Sequence, residues 1–278
     1  MLTIADHDRA AAGLRYVYPV LSRRAQGISI GINLNPNNAC NWRCIYCQVP
    51  GLTRGRAPEI EMDRLEDELR GFLSRLAEDE SIFTGVARDM RRVADLAISG
   101  NGEPTTASEF PQVVELLGRM RAERPALRDV QIRLITNGSL VERAPVSRGI
   151  RTLGELDGEV WFKVDAGSAA GFRRINDTRL SPQAVARRLA RCASLCRTWV
   201  QSCVFRLDGA GPQSREIDEY LTLLRTAGIE RLQGVLLYGL ARPSMQPEAP
   251  RLSALPAGEL DAIAGRIRET GLRVRVSP

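Results

Sequence analysis

Three cysteines, Cys40, Cys44 and Cys47, form a C-x3-C-x2-C array inside the stretch Asn38-Ala-Cys-Asn-Trp-Arg-Cys-Ile-Tyr-Cys-Gln48. Thiolate sulfur is soft and selects zinc, cuprous copper or an iron–sulfur cluster. A structural zinc site takes four protein ligands, yet the next cysteine is Cys192 and the only histidine is His7. A cubane takes one ligand per iron. Three cysteines would hold three of its irons and leave the fourth open to an exogenous ligand. The competing reading is a non-catalytic module whose thiolates hold zinc and whose arginines grip RNA phosphate.

Further groups with chemical potential follow at the ends of apolar runs. Ser99-Gly-Asn-Gly-Glu-Pro-Thr105 combines glycines, which let backbone approach a ligand, with the Glu103 carboxylate. Thr136-Asn-Gly138 is a turn signal with two polar side chains. Lys163 and Asp165 alternate onto one face of a strand end, and Lys163 is the only lysine among 39 basic residues. Asn176 lies in the following loop. Arg242 could aim a guanidinium at an anionic group. Cys192 and Cys196 share a helix face and Cys203 falls in the next strand, so a second cluster is geometrically conceivable, although free cysteine is commonly a small buried apolar residue.

The elements that must position these groups alternate. Strands are expected at 28–34, 93–99, 130–136, 160–164, 199–205 and 231–238, with a possible extra strand at 272–276. Helices are expected near 59–78, 108–124, 148–156, 181–196, 214–227 and 257–270. Such alternation implies a parallel sheet. Residues 1–27 read as an N-terminal extension with a possible amphipathic turn, and 28–278 as one domain. Residues 239–256, with four prolines, form the one long irregular loop, of the kind that covers sites. Net charge is +6 and the isoelectric point about 9.3. The surplus is scattered arginine, which is usually solvated, so nucleic acid is a possible partner without a defined patch. No signal peptide and no membrane-spanning run is visible, which leads us to expect a cytoplasmic protein.

The cysteine spacing, with the aromatic Tyr46 before the last thiol, resembles the signature of the radical S-adenosylmethionine (SAM) superfamily. The resemblance implies an open six-stranded (β/α)6 partial TIM barrel and a 4Fe-4S cluster on Cys40, Cys44 and Cys47. It also implies reductive cleavage of SAM to a 5′-deoxyadenosyl radical that abstracts hydrogen from a substrate. Flavodoxin or ferredoxin would donate the electron. Tyr46, Gly100, Asn101, Gly102, Glu103, Thr136, Asn137, Lys163 and Asp165 would line the SAM site. Glu103 would hold the SAM amino group, and Lys163 and Asp165 its carboxylate and ribose. The motif order from Pro19 to Pro243 is similar to that of the wyosine-type branch, relatives of 4-demethylwyosine synthase. That synthase carries N-terminal cluster cysteines and a Schiff-base lysine. Here no cysteine precedes Cys40 and the one lysine sits where a SAM contact is expected, so a tRNA-modifying role is the alternative and the substrate stays open.

Overall fold

In chain order, eight strands build one sheet: β1 Val17–Ser22, β2 Gly27–Ile32, β3 Val93–Ile98, β4 Gln131–Thr136, β5 Glu159–Lys163, β6 Arg197–Cys203, β7 Gly234–Tyr238 and β8 Val274–Ser277. They belong to a computed structural model that describes residues 13–22 and 27–277. Spatial order follows chain order, with β1 antiparallel to β2 and every other pair parallel. Among the described residues β1 and β8 do not pair with each other, so the sheet stays open.

Among the described residues seven α-helices connect the strands: α1 Met62–Glu78, α2 Phe110–Glu123, α3 Ala144–Glu155, α4 Ala169–Asn176, α5 Pro182–Ala193, α6 Ser214–Ala227 and α7 Ala257–Arg268. Their starts have local causes. Ser168 and Ser181 accept hydrogen bonds from Gly171 N and Ala184 N at the heads of α4 and α5, and Gln213 and Glu216 form a reciprocal cap on α6. Alternation along the strands sends Ile28, Ile30, Ile32, Leu96, Ile98, Ile132, Leu134, Val160, Phe162, Val200 and Val235 into one apolar core with the helices. In α1, Leu65, Leu69, Phe72 and Leu73 supply the matching stripe.

The six-strand expectation is exceeded. All six expected strands are present with shifted ends, β8 is the extra strand expected at 272–276, and β1 adds an antiparallel one within the stretch read as an extension. Pro19 suits an edge strand, because it lacks the donor that an inner ladder needs. The strand expected to run to Phe205 stops at Cys203; Phe205–Leu207 instead pairs antiparallel with Leu252–Ala254. Asn176 lies at the end of α4, not in a loop. Residues 10–12 of the expected N-terminal turn and Arg23-Arg24 of the expected motif lie outside the described residues.

The opposite face of the sheet is concave. One cavity of about 1120 Å³ is lined by residues from β1 to β7, among them Tyr18, Ser29, Asp95, Arg133, Lys163 and Gln201, and at its rim by all three cysteines of the C-x3-C-x2-C loop.

Candidate functional site

The cysteine loop leaves the C-terminal end of β2, where βα loops of such folds carry function. Ala39–Cys40 pairs with Thr53–Arg54 to close the loop base. Cys40, Cys44 and Cys47 are half-buried free thiols. Burial raises the Cys40 thiol to about 11 and the Cys44 thiol to about 12. They therefore stay protonated until a cation stabilises the thiolates, and metal binding would release protons. Among the described residues, no three thiol, imidazole or carboxylate side chains converge on a single-ion site. A structural zinc ion takes four protein ligands, whereas three cysteines suffice for a cubane with one iron left open.

The loop is braced from three sides. Arg43 N and Ile45 N donate to the Asn176 and Ile175 carbonyls at the end of α4, and Asn176 Nδ2 donates to Cys44 Sγ at 3.2 Å. The Arg43 guanidinium makes a two-pronged contact with Glu248 at 2.8 and 2.9 Å and a third bond to Asp177. From the long loop after β7, Ser244 Oγ donates to Ile45 O, Met245 N to Cys47 O and Gln246 Nε2 to Val49 O. The expected covering loop is thus a strap on the cysteine backbone. Arg242 approaches Gln48 at 3.4 Å on the same strap and lines the cavity.

The loops after β3 and β4 meet the cysteine loop through glycines and Glu103. A Cβ on Gly100 would stand 2.2 Å from Asn33 Oδ1, and one on Gly102 2.0 Å from Ala39 O. Both glycines therefore allow close packing of chain against chain, and both also line the cavity. The buried Glu103 carboxylate accepts from Thr105 N, Thr105 Oγ1 and Thr136 Oγ1 on Oε1, and from Asn137 N on Oε2. Burial pushes its pKa upward, opposed by these hydrogen bonds. Oε2 keeps acceptor capacity, and Glu103 lines the cavity. Thr136 does not line it; its hydroxyl orients Glu103 and accepts from Gly138 N. Asn137 and Asn101 do line it, bonded to Asn41 and Asn38 of the cysteine loop at 2.8 and 2.6 Å.

At the end of β5 the expected pair comes together around Tyr46. Asp165 accepts from Tyr46 OH and from Asn176 Nδ2 on Oδ2, and from Cys203 N on Oδ1. Lys163 Nζ lies 5.0 Å from the Tyr46 ring centroid and donates to Tyr238 OH at 3.2 Å. Burial acts to lower the Lys163 constant, but Asp165 and the neighbouring tyrosine and thiols outweigh it and hold the ammonium charged. Burial and Asp165 both raise Tyr46, which keeps its proton and donates it. The second cysteine trio separates: Cys192 and Cys196 sit in the helix-side core, whereas Cys203 packs on the other face against Tyr46 and Phe205. The opposite directions of successive strand side chains thus remove the second-cluster option.

Four contributors were not picked out from the sequence. Tyr238 pairs with Lys163, Asn33 receives the Asn101 amide at 3.0 Å, and Asp95 and Arg133 form an ion pair within the concave face. The last two had a legible signal, namely charges at alternate positions of otherwise apolar strands.

Residues 34–207 match the radical SAM superfamily. A UPF0026 protein of Methanocaldococcus jannaschii is 32% identical over 163 residues, 57% of this chain and 42% of that protein. The matches to curated relatives extend over less than half of those relatives' length. A radical SAM methyltransferase from Sphaerobacter thermophilus superposes with a TM-score of 0.57 at 14% identity, over 94% of this chain and 68% of its own. SuiB from Streptococcus suis, bound to S-adenosylmethionine, gives 0.56 at 11% identity, over 91% and 51%. At such identities the structural likenesses speak for the fold. Among the described residues no helix is long and apolar enough to cross a membrane.

Proposed function

This chain belongs to the radical SAM superfamily, and from that premise we propose that it is an enzyme in which Cys40, Cys44 and Cys47 hold a 4Fe-4S cluster and the cavity rim holds SAM. The observation that carries the reading is the opening of all three thiols, with Glu103, Asn137 and Lys163, onto one cavity. When bound, the cluster supplies the electron that cleaves the SAM sulfonium to methionine and a 5′-deoxyadenosyl radical, which takes hydrogen from the substrate. The chain's own residues do the positioning. Glu103 Oε2 offers an acceptor for an ammonium group, and the charged Lys163 a partner for a carboxylate. Asp165 and Asn176 fix Tyr46 and Cys44, and the strap of Ser244 and Gln246 holds the loop carbonyls. The apolar wall of Tyr46, Phe205 and Cys203 keeps water from the reacting centre.

The electron would come from an external donor such as flavodoxin or ferredoxin. The motif order supports a place beside the wyosine-type branch. The position of Lys163, held by Tyr238 and facing Tyr46, argues against carrying over that branch's lysine chemistry.

The test is anaerobic reconstitution with iron and sulfide, then dithionite and SAM, with Cys44→Ala as control. The wild type is expected to bind iron and sulfide and to release 5′-deoxyadenosine, and the variant to do neither. Zinc bound in place of the cluster would overturn the reading.

A further inference from the structure

Beneath the rim, the concave face continues as a second polar floor, and one residue on it has no place in the site so far described. Gln201 on β6 is 4% exposed. Its side-chain amide makes no hydrogen bond within the protein among the described residues, and it lines the cavity. Its neighbours are all paired. Ser29 bonds Asp95, Asp95 bonds Arg133, Arg133 and the Trp161 ring nitrogen both bond Glu159, and Lys163 bonds Tyr238. Unlike the side-chain oxygens of Asn35 and Asn176, which are sealed without a partner, the Gln201 amide opens onto the cavity, where water can pair with it until a ligand takes its place. Its retention at the wall of a cavity points to a ligand that completes it.

The surroundings define the ligand. In the sheet register Gln201 stands beside Lys163 on β5 and Leu236 on β7. Two residues towards the strand start lie Trp161 and Trp199, directly paired and clustered with Leu236 and Ile135. Two residues the other way lies Cys203, at the level of Tyr46. One pleat repeat of about 7 Å therefore separates Gln201 from the rim. Arg133, stacked 5.0 Å over Trp161, has its Nε and Nη1 committed to carboxylates, while its Nη2 has no partner among the described residues. A carboxamide presents a donor and an acceptor side by side. A carboxylate would satisfy only the NH2 and face Oε1 in repulsion; an ammonium would do the reverse. The complementary group is another amide, and the flat indole below favours a planar ring. The volume of about 1120 Å³ exceeds the roughly 300–1,000 Å³ of sites that hold one small molecule.

We infer that Gln201, over the Trp161 floor and beside Arg133, binds the amide edge of a planar cyclic amide carried by the substrate. The inference rests on the rim being the SAM site. It assigns Gln201 as a specificity residue for the second ligand and not for SAM.

Uracil serves as the probe, titrated into cluster-loaded, SAM-bound protein and read by tryptophan fluorescence, since Trp161 lines the cavity beside Gln201. Dimethyluracil, which keeps the ring and loses the N–H donors, is the control. Saturable quenching by uracil is expected, at least about tenfold weaker for dimethyluracil and for Gln201→Leu, and largely abolished as a signal in Trp161→Phe. Cluster absorbance reports that each variant is folded and loaded. Absence of saturable quenching in the wild type, or equal uracil affinity in Gln201→Leu, would overturn the inference. So would a Gln201→Leu variant that loses SAM affinity by the same factor, which would give the residue to SAM. If the wild type forms no deoxyadenosine yet binds uracil through Gln201, the radical reading fails while the amide site stands.

Discussion

The two faces of the one sheet are built by opposite rules from alternate residues of the same strands. In β5 the helix-side residues Val160 and Phe162 are sealed in the core, while Trp161 and Lys163 line the cavity. In β4 Leu134 is buried under helices while Arg133 stands in an ion-pair network. One face is mainly apolar, and its few polar groups, such as the hydroxyls of Thr198 and Ser202, are small and paired inside the core. The other holds ion pairs, an ammonium and a carboxamide, and is only partly filled. Stability and chemistry are thus separated by the period of two, residue by residue.

That separation can be broken or sharpened by substitutions on neighbouring positions. Phe162→Ala empties a ring that is 1% exposed beneath Gly138 and is expected to cost about 3–5 kcal/mol in urea unfolding. A loss below about 1 kcal/mol would mean that the helix-side face is not the main source of stability. One residue on, Lys163→Met is expected to weaken SAM binding by about ten- to hundredfold, the scale of a lost charged hydrogen bond. Unchanged affinity, measured by equilibrium dialysis on the cluster-loaded protein, would remove Lys163 from the SAM site. The smallest effect concerns Asp95, whose carboxyl is raised above its ordinary 3.8 by burial, with Arg133 and Ser29 opposing the shift. A raised carboxyl binds more protons folded than unfolded, so its contribution to stability falls as pH rises from 3.8 through the folded value. Relative to Asp95→Asn, the wild type should lose stability across that window, by at most about 1.4 kcal/mol per pH unit. A wild type that gains on the variant there would show that Arg133 outweighs burial.

How much of this the sequence exposed depends on the range of the interaction. The six inner strands and the long helices were legible because β-branched runs and the Leu65 to Leu73 stripe carry their period locally. The edge strand β1 was not: Tyr18-Pro19 breaks the strand signal, and its pairing with β2 decides it. Helix α4, eight residues with Gly171 and two arginines, is too short to show a period. Within the site, the cysteines, Glu103 and Lys163 announced themselves by type and spacing. The contact of Asn176 with Cys44, 132 residues apart, could not. Nor could the partition of Cys192 and Cys196 from Cys203, which follows from the side of the sheet each one faces. The glycines were visible as well, but their close packing against Asn33 and Ala39 was not, because it joins segments more than 60 residues apart.

The strap from Ser244 to Gln246 has a consequence in time. The thiols at 40, 44 and 47 are synthesised before the hydroxyl of Ser244 and the amide of Gln246, which hold their loop and come about 200 residues later. While the chain is still growing on the ribosome, the cysteines exist without the geometry that orders them. The strap can close on the loop only after residues 244–246 have been made.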